Sequence, residues 1–158
     1  MIKEIKFYGE RGDYGCFSNF YRKDFIIGMF TYSTVEHYFQ SMKFAGLEYE
    51  QTIIRSPSPS IAKKLGNSRA YPIRTDWEDI KNEVMYVGVT HKFKYNKDLM
   101  EILLSTEDAQ IIENSPYDYY WGIGSKGNGK NMLGKTLMNV RTDIRKLFSF
   151  LKGDGNVF

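Results

Sequence analysis

The sequence predicts an α+β fold, in which one compact and mainly helical domain surrounds a small, mostly antiparallel sheet. Three observations lead to this expectation. The chain has 158 residues, a length typical of one domain with a substantial core. Several segments repeat apolar residues at helical spacing, whereas only a few short segments look like strands. No linker or repeat divides the chain, so we expect one domain over residues 1–152 and a frayed tail over 153–158.

The first elements are predicted to be strands. Residues 2–8 carry an alternating apolar pattern, and residues 9–19 form a turn-rich loop with three glycines. Phe25–Ile27 and Phe30–Tyr32 flank Gly28, which is typical of a short hairpin. The hairpin leads directly into the segment around which the chain is organised.

That segment is a helix predicted over residues 35–45. Ser33 or Thr34 can cap its N-terminus, and Gly46 is a typical C-terminal stop. Apolar residues cover most of its surface, and a helix that is apolar on nearly every side is usually buried.

A polar stripe interrupts this apolar surface. Glu36, Gln40 and Lys43 are spaced i, i+4 and i+7, so they lie on one side of the helix. If the stripe points inward, a carboxylate, an amide and an ammonium group need partners or a ligand. The alternative is that the three residues face water and make ordinary contacts along the helix.

Four more helices and one strand are predicted after this one. Residues 47–55 and 58–66 form the next two, the second of which opens on a Ser-Pro pair and stops at a glycine. Thr75 or Asp76 caps a fourth helix, and Asn96 caps a fifth. The inward positions of the fourth helix are predicted to be Trp77, Ile80, Val84, Val87 and His91. Residues 109–113 suggest a strand.

A long loop and a regular helix complete the chain. Residues 114–130 form the loop, and loops of this length in compact domains are often functional. The last helix repeats its apolar residues in alternating steps of four and three. These residues are Leu133, Leu137, Val140, Ile144, Leu147 and Leu151.

Composition excludes several classes of function. The net charge of +3 is compatible with a phosphorylated ligand but too small to argue for non-specific nucleic-acid binding. Cys16 is the only cysteine, so no intrachain disulfide can form, and no base lies beside it to activate the thiol. His37 and His91 are too far apart in sequence to indicate a zinc site. With no signal peptide or membrane span apparent, we expect a cytoplasmic protein without a membrane partner.

The glycine-rich part of the long loop is a second candidate site. Residues 124–130 fit G-x-x-x-x-G-K, but Asn131 stands where a nucleotide-triphosphatase needs Ser or Thr for magnesium. We therefore reject that class. Two interpretations stay open: a flexible surface turn, or a loop whose backbone N–H groups bind phosphate.

Carboxylates and aromatic rings supply the remaining candidates. Asp118 can pair with Glu36, and paired acids suit glycosidic chemistry, although Asp118 taken alone is more typical of a turn. Trp77 and Trp121 can stack on a base or simply pack in the core. His37 points away from the stripe and is interpreted as a structural histidine.

Motif segments in a fixed order resemble those of one family across nearly the whole chain. They are FSNF at 17–20, TVEHYFQ at 34–40 with KF at 43–44, SPSP at 56–59, RTDWE at 74–78, VM at 84–85, KF at 92–93, LLST at 103–106, ENSP at 113–116, WGIG at 121–124 and NMLG at 131–134. This combination resembles the NADAR (YbiA-like) family of N-glycosidases.

The resemblance implies a mainly helical α+β fold and hydrolysis of N-glycosidic bonds without a metal or redox cofactor. In YbiA-like members the substrates are ribosylamino-pyrimidine phosphates of early riboflavin synthesis. In other members the reaction removes ADP-ribose from modified guanine bases. The expected partner is therefore a phosphorylated N-riboside or an ADP-ribosylated guanine, and no obligate protein partner is inferred.

The resemblance also assigns expected roles by position. Glu36, Lys43 and Asp118 fall in the catalytic motifs. The expected substrate-binding residues are Ser18, Asn19, Phe20, Gln40, Arg69, Trp77, Trp121, Gly122 and Asn131. A rival from another class is a non-catalytic module that binds ADP-ribose or NAD.

Overall fold

Helices make up most of the regular structure in residues 1–153, the part of the chain that the computed structural model describes. In chain order the elements are strand β1 (Glu4–Phe7), a 3-10 turn (Gly15–Phe17), strands β2 (Phe25–Ile27) and β3 (Phe30–Tyr32), helices α1 (Val35–Met42), α2 (Glu48–Ile54), α3 (Pro59–Asn67), α4 (Trp77–Tyr95) and α5 (Lys97–Ser105), strand β4 (Gln110–Glu113) and helix α6 (Met132–Gly153). The α+β class is confirmed. Apart from Gly153, which ends α6, the predicted C-terminal tail lies outside the described residues.

Strand pairing differs in detail from the small antiparallel sheet that the sequence predicts. β2 and β3 form the expected antiparallel hairpin, but β1 pairs with β4 in parallel, with Phe7 opposite Glu113. The result is two separate two-stranded sheets. The two strands of the parallel pair are separated by most of the chain, and such a pairing needs a long crossover connection that no local pattern reveals.

Capping confirms the predicted starts of α1 and α3. The hydroxyl of Thr34 accepts a hydrogen bond from the backbone N–H of His37, and Ser58 caps α3 in the same way through Ile61. Asp76 and Asn96 stand at the predicted N-cap positions of α4 and α5, yet neither side chain caps its helix.

Helix α1 lies at the centre of the fold, where it packs against α2, α3 and α4. Seven of its eight residues are buried. The helix ends at Met42, earlier than predicted, and a turn continues to Gly46, whose φ of +84° suits glycine. Burial of α1 on nearly every side agrees with the sequence prediction.

The long helix α4 buries a different face from the one predicted. Trp77 and Val84 are buried as expected, but Ile80, Val87 and His91 are only half-buried. The fully enclosed residues at its C-terminal end include Phe93 and the lysine before it, Lys92. Because α4 contacts α1 on one side and α6 on another, its buried surface is wider than a single stripe. No helix within residues 1–153 is long and apolar enough to cross a membrane.

Candidate active site

An open cavity of about 820 Å³ lies beside α1. Its walls come from the segment after β1, the loop at residues 18–20, helices α1, α3 and α4, and the segment after β4. Since β1 and β4 are parallel, the chain leaves the sheet on the same side after each of the two strands. Residues 8–11 and 113–121 therefore both reach the cavity. Ligands of open α/β sheets commonly bind outside the carboxyl ends of parallel strands.

The polar stripe of α1 faces this cavity. Glu36, Gln40 and Lys43 are each at most 6% exposed and all line it, so the inward interpretation of the stripe is correct. Gln40 Nε2 donates a hydrogen bond of 2.8 Å to Glu36 Oε1 and thereby orients the carboxyl group. Burial raises the pKa of Glu36, while that hydrogen bond and the charges of Lys63 and Lys43 oppose the rise.

Lys43 is a buried amine with an unusual environment. Its Nζ donates hydrogen bonds to Gly66 O at 3.3 Å and Asn67 Oδ1 at 3.2 Å, and it lies 5.7 Å from the ring centroid of Trp77. Burial, assisted by the positive charge of Arg69, lowers the pKa of Lys43 to about 8. A substantial fraction of this amine is therefore neutral near physiological pH.

Asp118 forms the turn that one interpretation of the sequence predicts, and it also lies at the cavity. Its Oδ1 accepts hydrogen bonds from the backbone N–H groups of Tyr120, at 2.9 Å, and Trp121, at 2.7 Å, so it shapes a turn. The residue also lines the cavity, where its charge contributes to raising the pKa of Glu36.

Glu113 is a further carboxyl group in the cavity that the residue-by-residue prediction did not select, and it is less exposed than Glu10 and Glu78, which also line the cavity. It ends β4 and lines the cavity with Glu36 and Asp118. Burial, followed by the charge of Asp118, raises the pKa of Glu113 to about 7. Its place at a strand end, at the start of the ENSP segment, was the signal available in the sequence.

Aromatic rings form one wall. The ring centroids of Phe39 and Trp77 are 5.0 Å apart, and those of Phe39 and Trp121 are 5.4 Å apart. All three residues line the cavity and also belong to, or pack against, the main core. The two tryptophans therefore serve the core and the site at once.

The loop at residues 18–20 also contributes to the cavity lining, through Ser18, Asn19 and Phe20. Ser18 Oγ accepts a hydrogen bond from the backbone N–H of Phe20, and Asn19 Nδ2 contacts the sulfur of Met85 at 3.4 Å. Asn19 Oδ1 is buried without a hydrogen-bond partner among the described residues. The buried Lys92 donates to Ser18 O at 2.9 Å and so fixes the loop from behind.

Three predicted binding residues lie outside the cavity lining. Arg69 donates to the backbone oxygens of Gly66 and Ser68. Asn131 spans the start of β4 and its end, accepting from Glu113 N at 2.9 Å and donating to Ile111 O at 2.9 Å. Gly122 is buried against the backbone of Asp118 and Glu113. Residues 122–131 therefore support the strand end, and the cations that line the cavity are instead Arg11, Lys43, Lys63 and Lys81.

The other candidates take structural roles. His37 Nδ1 lies 2.8 Å from Thr34 Oγ1 and its Nε2 lies 3.0 Å from Ser56 O, as expected for a structural histidine. Burial raises the pKa of the Cys16 thiol, which does not favour a nucleophile. Within residues 1–153 no group of His, Cys, Asp and Glu residues is arranged to hold a metal ion.

Similarity to known proteins identifies the family of this chain. The sequence model of the NADAR domain matches residues 6–145. The chain belongs to the NADAR family. Its relatives in the family include N-glycosidase YbiA of Escherichia coli strain K12, with 40% identity over 140 residues that cover 89% of this chain and 88% of that protein. N-glycosidase Npun_R5314 of Nostoc punctiforme is 42% identical over 149 residues, covering 92% and 95% of the two chains.

A solved NADAR structure has the same fold. The NMR structure of E. coli YbiA superposes with a TM-score of 0.85 at 40% identity, covering 93% of this chain and 89% of that one. A further relative is the chloroplastic riboflavin biosynthesis protein PYRR of Zea mays, 38% identical over 155 residues. This chain corresponds to 25% of that longer protein.

Proposed function

We propose that this NADAR protein is an N-glycosidase that hydrolyses the bond between ribose and the nitrogen of a phosphorylated, ribosylated base. The names of its relatives supply the reaction class, and riboflavin-related names among them favour ribosylamino-pyrimidine phosphates as substrates. The observation that carries the proposal is the buried carboxyl group of Glu36, which is oriented by Gln40 and faces a cavity walled by aromatic rings. A cytoplasmic location fits a phosphorylated substrate, which does not cross membranes unaided.

Glu36 would act on the sugar. As the C1′–N bond breaks, positive charge develops at C1′, and a carboxylate fixed nearby stabilises that charge most strongly where water is excluded. Glu36 is 6% exposed and its carboxyl group is oriented before substrate arrives. It would stabilise the developing cation or activate the attacking water, and Asp118 would hold the sugar hydroxyls.

Lys43 offers a second route to the same products. Its pKa of about 8 leaves a neutral amine that can attack C1′ while the departing base keeps the electrons of the C–N bond. Opening of the ribose ring then gives a Schiff base, and water hydrolyses it to free the sugar and regenerate the amine. Both routes consume one water and release the same base.

The walls of the cavity suit the rest of the substrate. Phe39, Trp77 and Trp121 present ring surfaces against which a flat base can pack. Lys63 and Lys81 line the cavity from α3 and α4, and their ammonium groups are the natural contacts for a sugar phosphate.

A second candidate substrate is ADP-ribose attached to guanine. The observation that favours it is size, because a cavity of about 820 Å³ is larger than a riboside monophosphate requires. A shallower groove lined by Arg22 and Ser58 shares Glu10 and Phe20 with the main cavity, which extends the surface available to a longer ligand. A base in nucleic acid would have to be flipped or single-stranded to enter.

The test is the Glu36→Gln variant, assayed for release of free base and sugar phosphate. We expect turnover to fall by about 10² or more, as for loss of a principal charge stabiliser, with little change in folding. Glu48→Gln makes the same chemical change at an exposed position on the neighbouring helix α2 and should remain fully active. If the native protein binds the ligand without any turnover, and Glu36→Gln binds it with unchanged affinity, the result would instead indicate a non-catalytic binding module.

A further inference from the structure

The carboxyl group of Glu113 has distinctive surroundings in the cavity. The residue lines the cavity between the parallel sheet and Asp118. Within residues 1–153, no hydrogen bond or ion pair reaches its carboxyl oxygens, whereas Glu36 receives one from Gln40 and Asp118 receives two from the backbone. Donors stabilise the ionised form of a carboxyl group. Glu10 and Glu78 also line the cavity but are exposed, so among the less exposed cavity carboxyls Glu113 is the one whose surroundings least favour ionisation through hydrogen bonds.

The backbone of Glu113 is held on several sides. Its N–H donates to Asn131 Oδ1 at 2.9 Å, and its carbonyl oxygen accepts from Ile123 N at 3.0 Å. A Cβ atom on Gly122 would lie 3.0 Å from Glu113 Cγ, so only glycine leaves ordinary space for that side chain there. The segment containing Gly122 and Asn131 thus serves to position Glu113.

We propose that Glu113 is the general acid that protonates the leaving nitrogen of the substrate. The inference rests on the proposed N-glycosidase function and assigns to this residue a step that Glu36 and Lys43 do not perform. The amine or ring nitrogen of a base is a poor leaving group as an anion, so a proton must reach it as the C1′–N bond breaks.

Electrostatics in the cavity support the assignment. The pKa of Glu113 rises to about 7 because its half-buried position shields the carboxyl group from water and because Asp118 and, less strongly, Glu36 place negative charge nearby. Lys63 is the cation that opposes this rise. A carboxylic acid with a pKa near the working pH can donate a proton and then take one up again from solvent.

The step balances without a cofactor. The Glu113 carboxyl proton passes to the leaving nitrogen, which keeps the electron pair of the broken C1′–N bond. Water then adds its oxygen to C1′ and releases one proton, which returns to the Glu113 carboxylate directly or through solvent. The net reaction joins one water to the N-riboside and gives the free base and the free sugar.

The experiment compares two substrates that differ in their need for a proton. One is the ribosylamino-pyrimidine phosphate; the other is p-nitrophenyl ribofuranoside 5-phosphate, whose phenolate leaves without protonation. Glu113→Gln should lower kcat/KM by about 10²–10³ for the first and by less than tenfold for the second. Glu4→Gln, the same change at the other end of the same sheet, should alter neither.

The outcomes separate this proposal from the one before it. Loss of both activities to the same degree, or retention of both, in a folded Glu113→Gln protein overturns the general-acid role and leaves the N-glycosidase function intact. A wild-type protein inactive on both substrates refutes the proposed function, and this inference with it.

A wild-type measurement covers the case in which the variant does not fold. The kcat/KM of the amine-leaving substrate should fall above a pH of about 7, while that of the nitrophenyl substrate should not show this decrease. Parallel pH profiles for the two substrates would contradict the assignment.

Discussion

Replacing Lys92 by methionine should stabilise the protein at low pH. The lysine is 1% exposed, and its Nζ lies 5.4 Å from the ring centroid of Phe93 and 5.7 Å from that of Tyr21. Its hydrogen bond goes to Ser18 O, which also accepts from Tyr21 N at 3.2 Å. Methionine fills a similar volume without charge, and Ser18 O keeps one partner after the change.

The magnitude follows from the pKa of Lys92, which burial lowers from 10.5 to about 7. Below about pH 7 the lysine is protonated in both the folded and unfolded states, so the folded protein bears the full penalty of a buried charge. Between pH 7 and 10.5 only the unfolded state binds the proton, so stability rises with pH. At 1.36 kcal/mol per pKa unit the penalty is at most about 5 kcal/mol. Allowing about 1 kcal/mol for the lost hydrogen bond, Lys92→Met should gain about 2–4 kcal/mol at pH 6.

The assay is urea unfolding of both proteins from pH 6 to pH 10. We expect the advantage of Lys92→Met to shrink steadily and to vanish or reverse near pH 10. Because Lys92 fixes the loop that carries Asn19 and Phe20, the variant should also show a higher KM with a smaller change in kcat. A difference in the free energy of unfolding that stays constant across this pH range would refute the reasoning.

Two further predictions concern the polar stripe of α1. If the Schiff-base route operates, borohydride added during turnover should trap a sugar on Lys43, identifiable by peptide mass. An active Lys43→Arg variant and no adduct would leave water attack as the route. Gly66→Ala should lower turnover at least tenfold, because the added Cβ would overlap Gln40 Oε1 and disturb the hydrogen bond to Glu36. Gly153→Ala, where a Cβ meets nothing within 4 Å, is the matched control, and equal activities of the two variants would contradict this account.

Local signals explain what could be predicted from the sequence. The start of α1 was predicted correctly because Thr34 caps it through a contact three residues away. Spacing alone does not decide whether Glu36, Gln40 and Lys43 point inward, and the family motifs favour the inward direction. The same motifs assign Asp118 and Trp121 to one site with the α1 residues, although long stretches of sequence separate them from α1. In the structure both residues line the same cavity as α1.

Long-range packing explains what could not be predicted. The parallel pairing of β1 with β4 depends on the path of the whole chain. The contact of Asn131 with the end of β4 depends in turn on that pairing. Glycines in the loop at 122–131 suggest a phosphate site, which stays a prediction; the contacts of Ile123 and Asn131 with the end of β4 could not be predicted from that composition. Lysine is almost never fully buried, so the pattern of α4 offered no reason to place Lys92 inside.

The most direct test of the account is product analysis of the purified wild-type protein with two substrates. One is the ribosylamino-pyrimidine phosphate, and the other is a single-stranded oligonucleotide carrying ADP-ribosylated guanine. Mass spectrometry should find free pyrimidine amine and ribose phosphate in the first reaction, with free ADP-ribose inhibiting only weakly. Release of ADP-ribose with tight inhibition would change the preferred substrate, and the absence of any free base from either reaction would contradict N-glycosidic cleavage at this cavity.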